Sequence, residues 1–497
     1  MKNLFQLFTN KESIVKIFIF LILVYPPVFL HLDILPIRIW DESRTAVTSF
    51  EVSKSGNFLV PTYQWSPEMW STKPPLLVWL QVLAIKIIGI NELALRLPVA
   101  IITFLTLIFI IWFSIKYFKD FYFGFISVLV LITCHGYVNI HATRTGDYDA
   151  PLSSFMFLYA LCFFLFIETD KRKYLLLTFL GLMLAVMTKS TAGLLFLPAL
   201  FIYSLIRKKF LTIFKMKEFY LGLLIFFVPI LTYYIGREIY NPGYINTVIE
   251  NEYGQRYLTT IENHKGDFWF YWQNFLAFQI TKWYWLIPCG IVVGVSSKNE
   301  LVKKLSLFIT IVSVSFFLLI SFSQTKCEWY DVPIYPFLAM IIGMFLYLVF
   351  DFLKNLEKIK TLFKWNIIPF VFLFIVMIDP YRTIINKVYF PKEYFWDEEF
   401  YQISYFLQDA TKGERAIDNS LLCYDGYNAH LLFYLDVLND KGHKIDFADW
   451  HKLHVNEKAI AYQGDVKKYI EENYSFEIIR DDKSIRTYKI TGIKKMS

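Results

Sequence analysis

Apolar runs long enough to cross a bilayer recur along residues 14–379, and no other feature constrains the fold so strongly. Each run is roughly 15–23 residues, close to what a helix needs to span the hydrocarbon core. Short charged loops separate them. Only 19% of the 497 residues are charged, against roughly a quarter in soluble domains. The pattern predicts a polytopic α-helical membrane protein. Cys134, Cys162, Cys289, Cys327 and Cys423 show no paired spacing. They read as small apolar fillers, not as a disulfide framework or a thiolate metal site. The net charge of +7 follows from topology and gives no reason to invoke nucleic acid.

Orientation is read from the basic loops, because Lys and Arg near helix ends stay in the cytoplasm. Six groups qualify: Lys2, Lys11 and Lys16; Lys116 and Lys119; Lys171–Lys173; Arg207–Lys217; Lys298–Lys304; and Lys354–Lys364. Placing all six on one side gives eleven spans, at 14–32, 95–115, 121–140, 151–168, 174–188, 191–206, 218–236, 275–296, 304–323, 332–352 and 365–379. The first reads as a retained span, since no small-residue cleavage site follows it. The stretch Pro74–Ile90 would reverse the parity of every later loop if it crossed. It is therefore expected to lie along the interface, within a first external loop of residues 33–94. The N-terminus is then cytoplasmic. The external side receives 33–94, 141–150, 237–274, 324–331, the turn at Thr188–Ser190 and the C-terminal region.

Two domains are expected, a transmembrane catalytic domain over 1–379 and a small α/β extracytoplasmic domain over 380–497. In the second, 395–411 and 465–474 have helical character, and 419–425, 458–463 and 484–490 read as short strands.

Polar residues able to do chemistry collect on the external side. Asp41-Glu42 follows the first span. Such a carboxylate can take a proton from an acceptor, or be a solvated acid or helix cap. In His141–Ala150, "HATRTGDYDA", Asp147 and Asp149 face the same way if the loop is extended, although Asp149 also stands where a span begins and can cap it. Arg144 can pair with these acids or bind a phosphate oxygen. Lys73 in "STKPPLL" and Lys189 in "MTKSTAG" can snorkel or neutralise a lipid phosphate. Lys326 and Tyr330, in "FSQTKCEWYDVPIYPF", can grip a phosphate at the boundary, or sit in a proline-containing helix entry. His264, with Glu252, Glu262 or Asp267, can hold a metal or simply be solvated. No Gly-rich nucleotide loop and no His-Glu-x-x-His or Cys-x-x-Cys motif is present.

Six motifs in order carry a family resemblance: Asp41-Glu42, Gly56–Gln64, Lys73–Leu80, Gly89–Pro98, Gly146–Phe155 and Met187–Leu195. The chain resembles the GT-C polyprenyl-phosphate-sugar-dependent glycosyltransferases. Within them it is most similar to the bacterial branch that includes lipid A aminoarabinose transferases and protein mannosyltransferases. The resemblance implies about 11–13 transmembrane helices with the catalytic acids in the first two external loops. It makes Asp41 the main catalytic acid, with Glu42 beside it, and Asp149 the second-loop acid. Lys73 becomes a carrier-phosphate contact, and Arg96 falls within a motif. Tyr330 matches the Tyr before a proline pair, and His264 the loop His that helps hold a divalent metal. Thr72 departs from the pattern, standing where an acidic metal ligand precedes Lys-Pro-Pro.

The implied reaction moves one sugar from polyprenyl phosphate to a lipid, glycan or protein acceptor, with inversion, at the outer face of a bacterial inner membrane. Lys73, Arg144, Lys189 or Lys326 would stabilise the departing phosphate. The rival reading is a transporter or flippase of a lipid-linked sugar, for which ionisable groups belong near the bilayer middle. Lys282 is the main residue in its favour.

Overall fold

Every expected span contains a helix. The computed structural model describes residues 11–251, 266–356, 367–417, 419–482 and 484–494. The helices used below are α1 (Lys11–Phe29), α2 (Asp41–Ser55), α3 (Leu76–Ile88), α4 (Glu92–Phe118), α5 (Tyr122–Ile132), α6 (Asp149–Thr169), α7 (Arg172–Lys189), α8 (Leu197–Ile206), α9 (Lys217–Tyr240), α10 (Leu286–Val295), α11 (Glu300–Phe322), α12 (Tyr335–Asn355) and α13 (Ile368–Tyr389). Among the described residues, eight helices are long and apolar enough to cross a membrane. The most enclosed is α6, where 89% of the most apolar stretch is buried. Around it α1, α9 and α13 turn large apolar side chains outward, as lipid-facing helices do.

Two expected spans are broken. The run at 121–140 ends as a helix at Ile132 and continues as turns to Tyr148. The run at 275–296 is helical again only from Leu286. The breaks meet: Trp283 Nε1 donates to the Thr133 hydroxyl at 3.1 Å, and Gly136 N donates to Gln279 O at 3.0 Å. Irregular backbone inside a membrane protein is tolerated where protein groups satisfy it in this way. The last helix carries on through Pro380 to Tyr389, ten residues past the expected end at 379.

The basic loops gather at one face. Glu168 forms ion pairs with Arg207 (2.8 Å) and Lys304 (3.2 Å), while Lys116, Lys119 and Lys171 line the same recess. Lys16 and Lys354 both stand over the Tyr122 ring. At the opposite face lie α2 and α3. Helix α3 has 13 residues, about 20 Å at 1.5 Å per residue, shorter than the roughly 30 Å of a bilayer core. Lys73 before it and Glu92 after it both bond partners on that face.

The C-terminal region is an α/β unit on the same face. It contains α14 (Gln402–Thr411), β1 (Ser420–Cys423), α15 (Ala429–Asp440), β2 (Ile445–Phe447), β3 (Lys458–Ala461), α16 (Gly464–Asn473), β4 (Tyr474–Asp482) and β5 (Ile485–Ile493). The sheet order is β2-β1-β3-β5-β4, parallel across the first three strands and antiparallel across the rest. Its apolar residues join those of α2, α3 and α4 in one core, with Ala46 and Leu95 packed among Ile403, Leu431 and Leu438. Helix α15 and strands β2 and β4 were not expected. Three-residue β2 is too short to show alternation, and β4 is mostly exposed and charged.

This topology gives a labelling pattern. In a cysteine-free background, Lys86→Cys should react with an impermeant maleimide from the side opposite to Lys171→Cys. Reaction of both from one side would mean that α3 spans the membrane.

Candidate active site

The segment leading into α2 is held from several directions before Asp41 appears. Arg38 forms a bidentate pair with Glu393, one arm at 2.7 Å, and its guanidinium lies 3.9 Å from the Tyr401 ring centre. The backbone N–H groups of Ile37 and Ile39 donate to the hydroxyls of Tyr434 and Tyr401. Trp40 stacks on Tyr427 with ring centres 4.6 Å apart. Every one of these partners lies beyond α13. Trp40 itself has φ 72°, a conformation that costs a non-glycine residue roughly 1–3 kcal/mol and persists only where surroundings impose it. His141 (φ 60°) and Ser190 (φ 48°), in the second loop and just after Lys189, share this feature.

Asp41 and Glu42 are adjacent in sequence and opposite in environment. The Asp41 side chain is 31% exposed and accepts from Lys73 Nζ at 2.7 Å. Glu42 is 0% exposed. It accepts two bonds from Arg96, at 2.7 and 2.8 Å, plus the N–H of Arg38 at 2.8 Å and of Gly146 at 2.7 Å. Burial works against its charge, but Arg96 and these N–H donors outweigh it and hold its pKa below the ordinary carboxylate value. Gly146 is needed at this crossing. A Cβ there would stand 2.8 Å from Gln81 Nε2 and 2.9 Å from Leu95 O.

The other polar groups form a continuous set around Asp41. The Lys73 ammonium lies 4.6 Å from the Tyr148 ring centre. The next residue, Asp149, accepts both bonds of Lys189 at 2.6 and 2.8 Å. Lys189 in turn lies 5.0 Å from the Tyr330 ring centre. Asp149, Lys189 and Tyr330 line a cavity of about 90 Å³ whose remaining walls include Leu152, Leu195, Phe316 and Ile320. Beside Tyr330, Trp329 stacks on His141 with centres 4.0 Å apart. His141 Nδ1 is 2.8 Å from Asp147 Oδ2, off the line that a hydrogen bond requires. Asp41 and Asp149 both act electrostatically on His141, so the two loops share one field.

Asp41, Asp149, Lys73, Lys189 and Tyr330 are thus brought together. Three other residues singled out from the sequence have different surroundings. Glu42 is enclosed and fully engaged. Arg144 donates to the carbonyls of Pro27, Val28, Leu30 and His31 at the end of α1. Lys326 donates to the carbonyls of Ile320, Ser321 and Ser323 and so closes the C-terminus of α11. His264 lies outside the described residues. Among the described residues no three His, Cys, Asp or Glu side chains converge on a point that suits a metal ion, and Thr72 supplies no carboxylate. The sequence marks Asp147 beside Asp149 but singles out neither His141 nor Arg237. The His141–Asp147 spacing of six carries no recognisable signal, and Arg237 reaches the Lys73 cleft from the end of α9.

Residues 72–235 match the family model of dolichyl-phosphate-mannose-protein mannosyltransferase. An uncharacterized protein of Aquifex aeolicus (strain VF5) is 27% identical over 365 residues, covering 70% of this chain and 68% of that one. The structure of ArnT from Cupriavidus metallidurans bound to undecaprenyl phosphate superposes with a TM-score of 0.71 at 16% identity, over 97% of this chain and 98% of that chain. Its apo state gives 0.64 at 14% identity, over 96% and 97%.

The chain has the GT-C membrane fold.

In this chain the His141–Asp147 pair is expected to make a pH-dependent contribution to stability. Burial disfavours the imidazolium, but Asp147, Asp41 and Asp149 more than offset it and raise the pKa above the ordinary 6.5. A raised folded-state value means the pair stabilises fully below the ordinary value and loses that effect as pH rises through the raised one. Thermal melting in detergent should therefore fall over that window for the wild type and flatten in His141→Gln. Equal slopes would contradict the pairing.

Proposed function

We propose that this chain transfers one sugar from a polyprenyl-phosphate carrier to an acceptor hydroxyl or amine, with inversion at the anomeric carbon. The observation that carries this reading is the conjunction of two lysine–carboxylate pairs, Lys73–Asp41 and Lys189–Asp149, with an apolar-walled cavity. A greasy chain with a phosphate head requires both cationic and apolar surface. The structural likeness to a protein holding undecaprenyl phosphate supports the choice of carrier.

The chemistry follows from the charges. The acceptor oxygen or nitrogen bonds the anomeric carbon as the bond from that carbon to the phosphate oxygen breaks. The phosphodiester monoanion departs as a phosphomonoester dianion, and Asp41, the more exposed acid, takes the acceptor proton. Lys73 is then released from Asp41 to the growing phosphate charge, where a fixed cation in a site of low water content is most effective. Lys189, held by Asp149 and Tyr330, adds a second positive charge. Glu42, with no exposed surface, positions Asp41 and does not meet substrate.

The basic loops make the opposite face cytoplasmic by the positive-inside tendency. We therefore place the reaction at the extracytoplasmic surface of a bacterial inner membrane. A transport role is less consistent with the charges. Lys282 pairs with Asp379 at 2.7 Å on the exterior of the bundle and does not line an inner pathway.

The test uses the purified chain in nanodiscs with a sugar-charged undecaprenyl phosphate, following free carrier phosphate by mass spectrometry. Asp41→Asn should slow release by about 10²–10⁴-fold, as loss of a general base does, with melting unchanged. Turnover of folded Asp41→Asn at the wild-type rate would remove Asp41 from the chemistry. Glu42→Gln should instead lower the melting temperature, since the buried Arg96 charge loses its counter-ion; an unchanged melting temperature would contradict that role.

A further inference from the structure

A second cavity, of about 290 Å³, lies behind residues that hold the active-site loops. Arg96 and Thr145 line it, and these residues bond Glu42 and Asp147. Its other walls are the ends of α1 and α13 and the segment 135–145. The charged side chains that line it are all basic. Arg38 and Arg96 are spent on Glu393 and Glu42. Arg144 and Lys387 have no carboxylate within ion-pair distance among the described residues. Arg144 donates only to carbonyls. Lys387 Nζ donates to Val138 O (2.9 Å) and Asn139 Oδ1 (2.7 Å) and stands 3.1 Å from His135 Nε2. The other ring nitrogen of His135 is buried with no partner. Burial, together with Arg96, pushes the Arg144 pKa down to about 10. Enclosed cations without a counter-charge are costly, and an anion in the cavity would remove that cost.

Depth identifies the kind of anion. Helices α1 and α13 have 19 and 22 residues, about 28–33 Å at 1.5 Å per residue, close to the roughly 30 Å of a bilayer core. Lys387 is two residues from the end of α13, and His31 is two past the end of α1, so the cavity sits at headgroup level. Below it both helices expose large apolar side chains, Phe18 and Ile22 on one and Phe374 and Ile378 on the other. Leu32, Leu35 and Val388 give the cavity an apolar portion.

We propose that this cavity binds the phosphate of an anionic membrane amphiphile, seated among Arg144, Lys387 and His135 with its chains along α1 and α13. The proposal does not depend on the transfer reading, because none of these three residues touches Asp41, Lys73 or Lys189 in the structure.

The test is native mass spectrometry of the full chain, titrated with phosphatidylglycerol against a phosphatidylcholine background, and separately with inorganic phosphate. The wild type should retain one phosphatidylglycerol. Lys387→Gln should weaken that binding roughly tenfold or more, as loss of a charged hydrogen bond does, and Lys387→Arg should keep most of it. Lys392→Gln, at an exposed position in the same lining, should give a smaller loss without disturbing the fold. Lys354→Gln, on the opposite face, should bind as the wild type does. Equal affinity in the wild type, Lys387→Gln and Lys392→Gln would overturn the proposal. So would occupancy by inorganic phosphate with no retained phosphatidylglycerol.

Discussion

Glu42 has no contact with water and yet joins three separated pieces of backbone. Through its two oxygens it holds the entry to α2 at Arg38, the second loop at Gly146 and the start of α4 at Arg96. Arg96 adds bonds to the carbonyls of Leu32, Leu35 and Pro36. Taking such a pair out of water is expensive, and an apolar substitute of the same shape often folds as stably. What the pair supplies here is position. It fixes where the loop carrying Asp41 meets the loop carrying Asp147 and Asp149, and the rest of the site depends on that meeting.

The C-terminal unit belongs to the same arrangement. It reaches the first loop through the Arg38–Glu393 pair, the Trp40–Tyr427 stack and the hydroxyls of Tyr401 and Tyr434. Trp40 is held in a conformation it would not keep alone. The residue immediately before the proposed base is thus set by side chains almost four hundred positions later in the sequence. Asp41 stays partly exposed while everything around it is fixed, which is the condition under which a carboxylate can meet a substrate without reorganising.

Much of this was legible in the sequence. Among the described residues, apolar length and the segregation of Lys and Arg located a helix in each of the eleven expected spans and grouped the basic loops on one face, because both signals are local. The same reasoning carried 121–140 and 275–296 through as unbroken spans, since hydropathy does not report whether His135, Gly136 or Trp283 will find partners outside the helix. Among the site residues, Asp41, Asp149, Lys73, Lys189 and Tyr330 stand together as their motifs suggested. Glu42, Arg144 and Lys326 look like the other polar candidates as residue types, but Glu42 is enclosed by the Arg96 side chain and two backbone N–H groups, and Arg144 and Lys326 donate to backbone carbonyls, partners that only the tertiary structure supplies. His141 was passed over because a lone loop histidine carries no pattern, and its significance comes from Asp147 and the Trp329 ring. The link between the C-terminal unit and Trp40 has no trace in spacing at all.

The central claim is that two loops, locked together by one buried ion pair, present their acids, beside Lys73 and Lys189, to a single carrier phosphate. An experimental map of the chain in nanodiscs with added undecaprenyl phosphate tests this most directly. The phosphate should appear between Lys73 and Lys189, next to Asp41, with the Glu42–Arg96 contact intact. A phosphate bound elsewhere, or a map that places Asp41 and Asp149 on different faces of the membrane, would contradict the account.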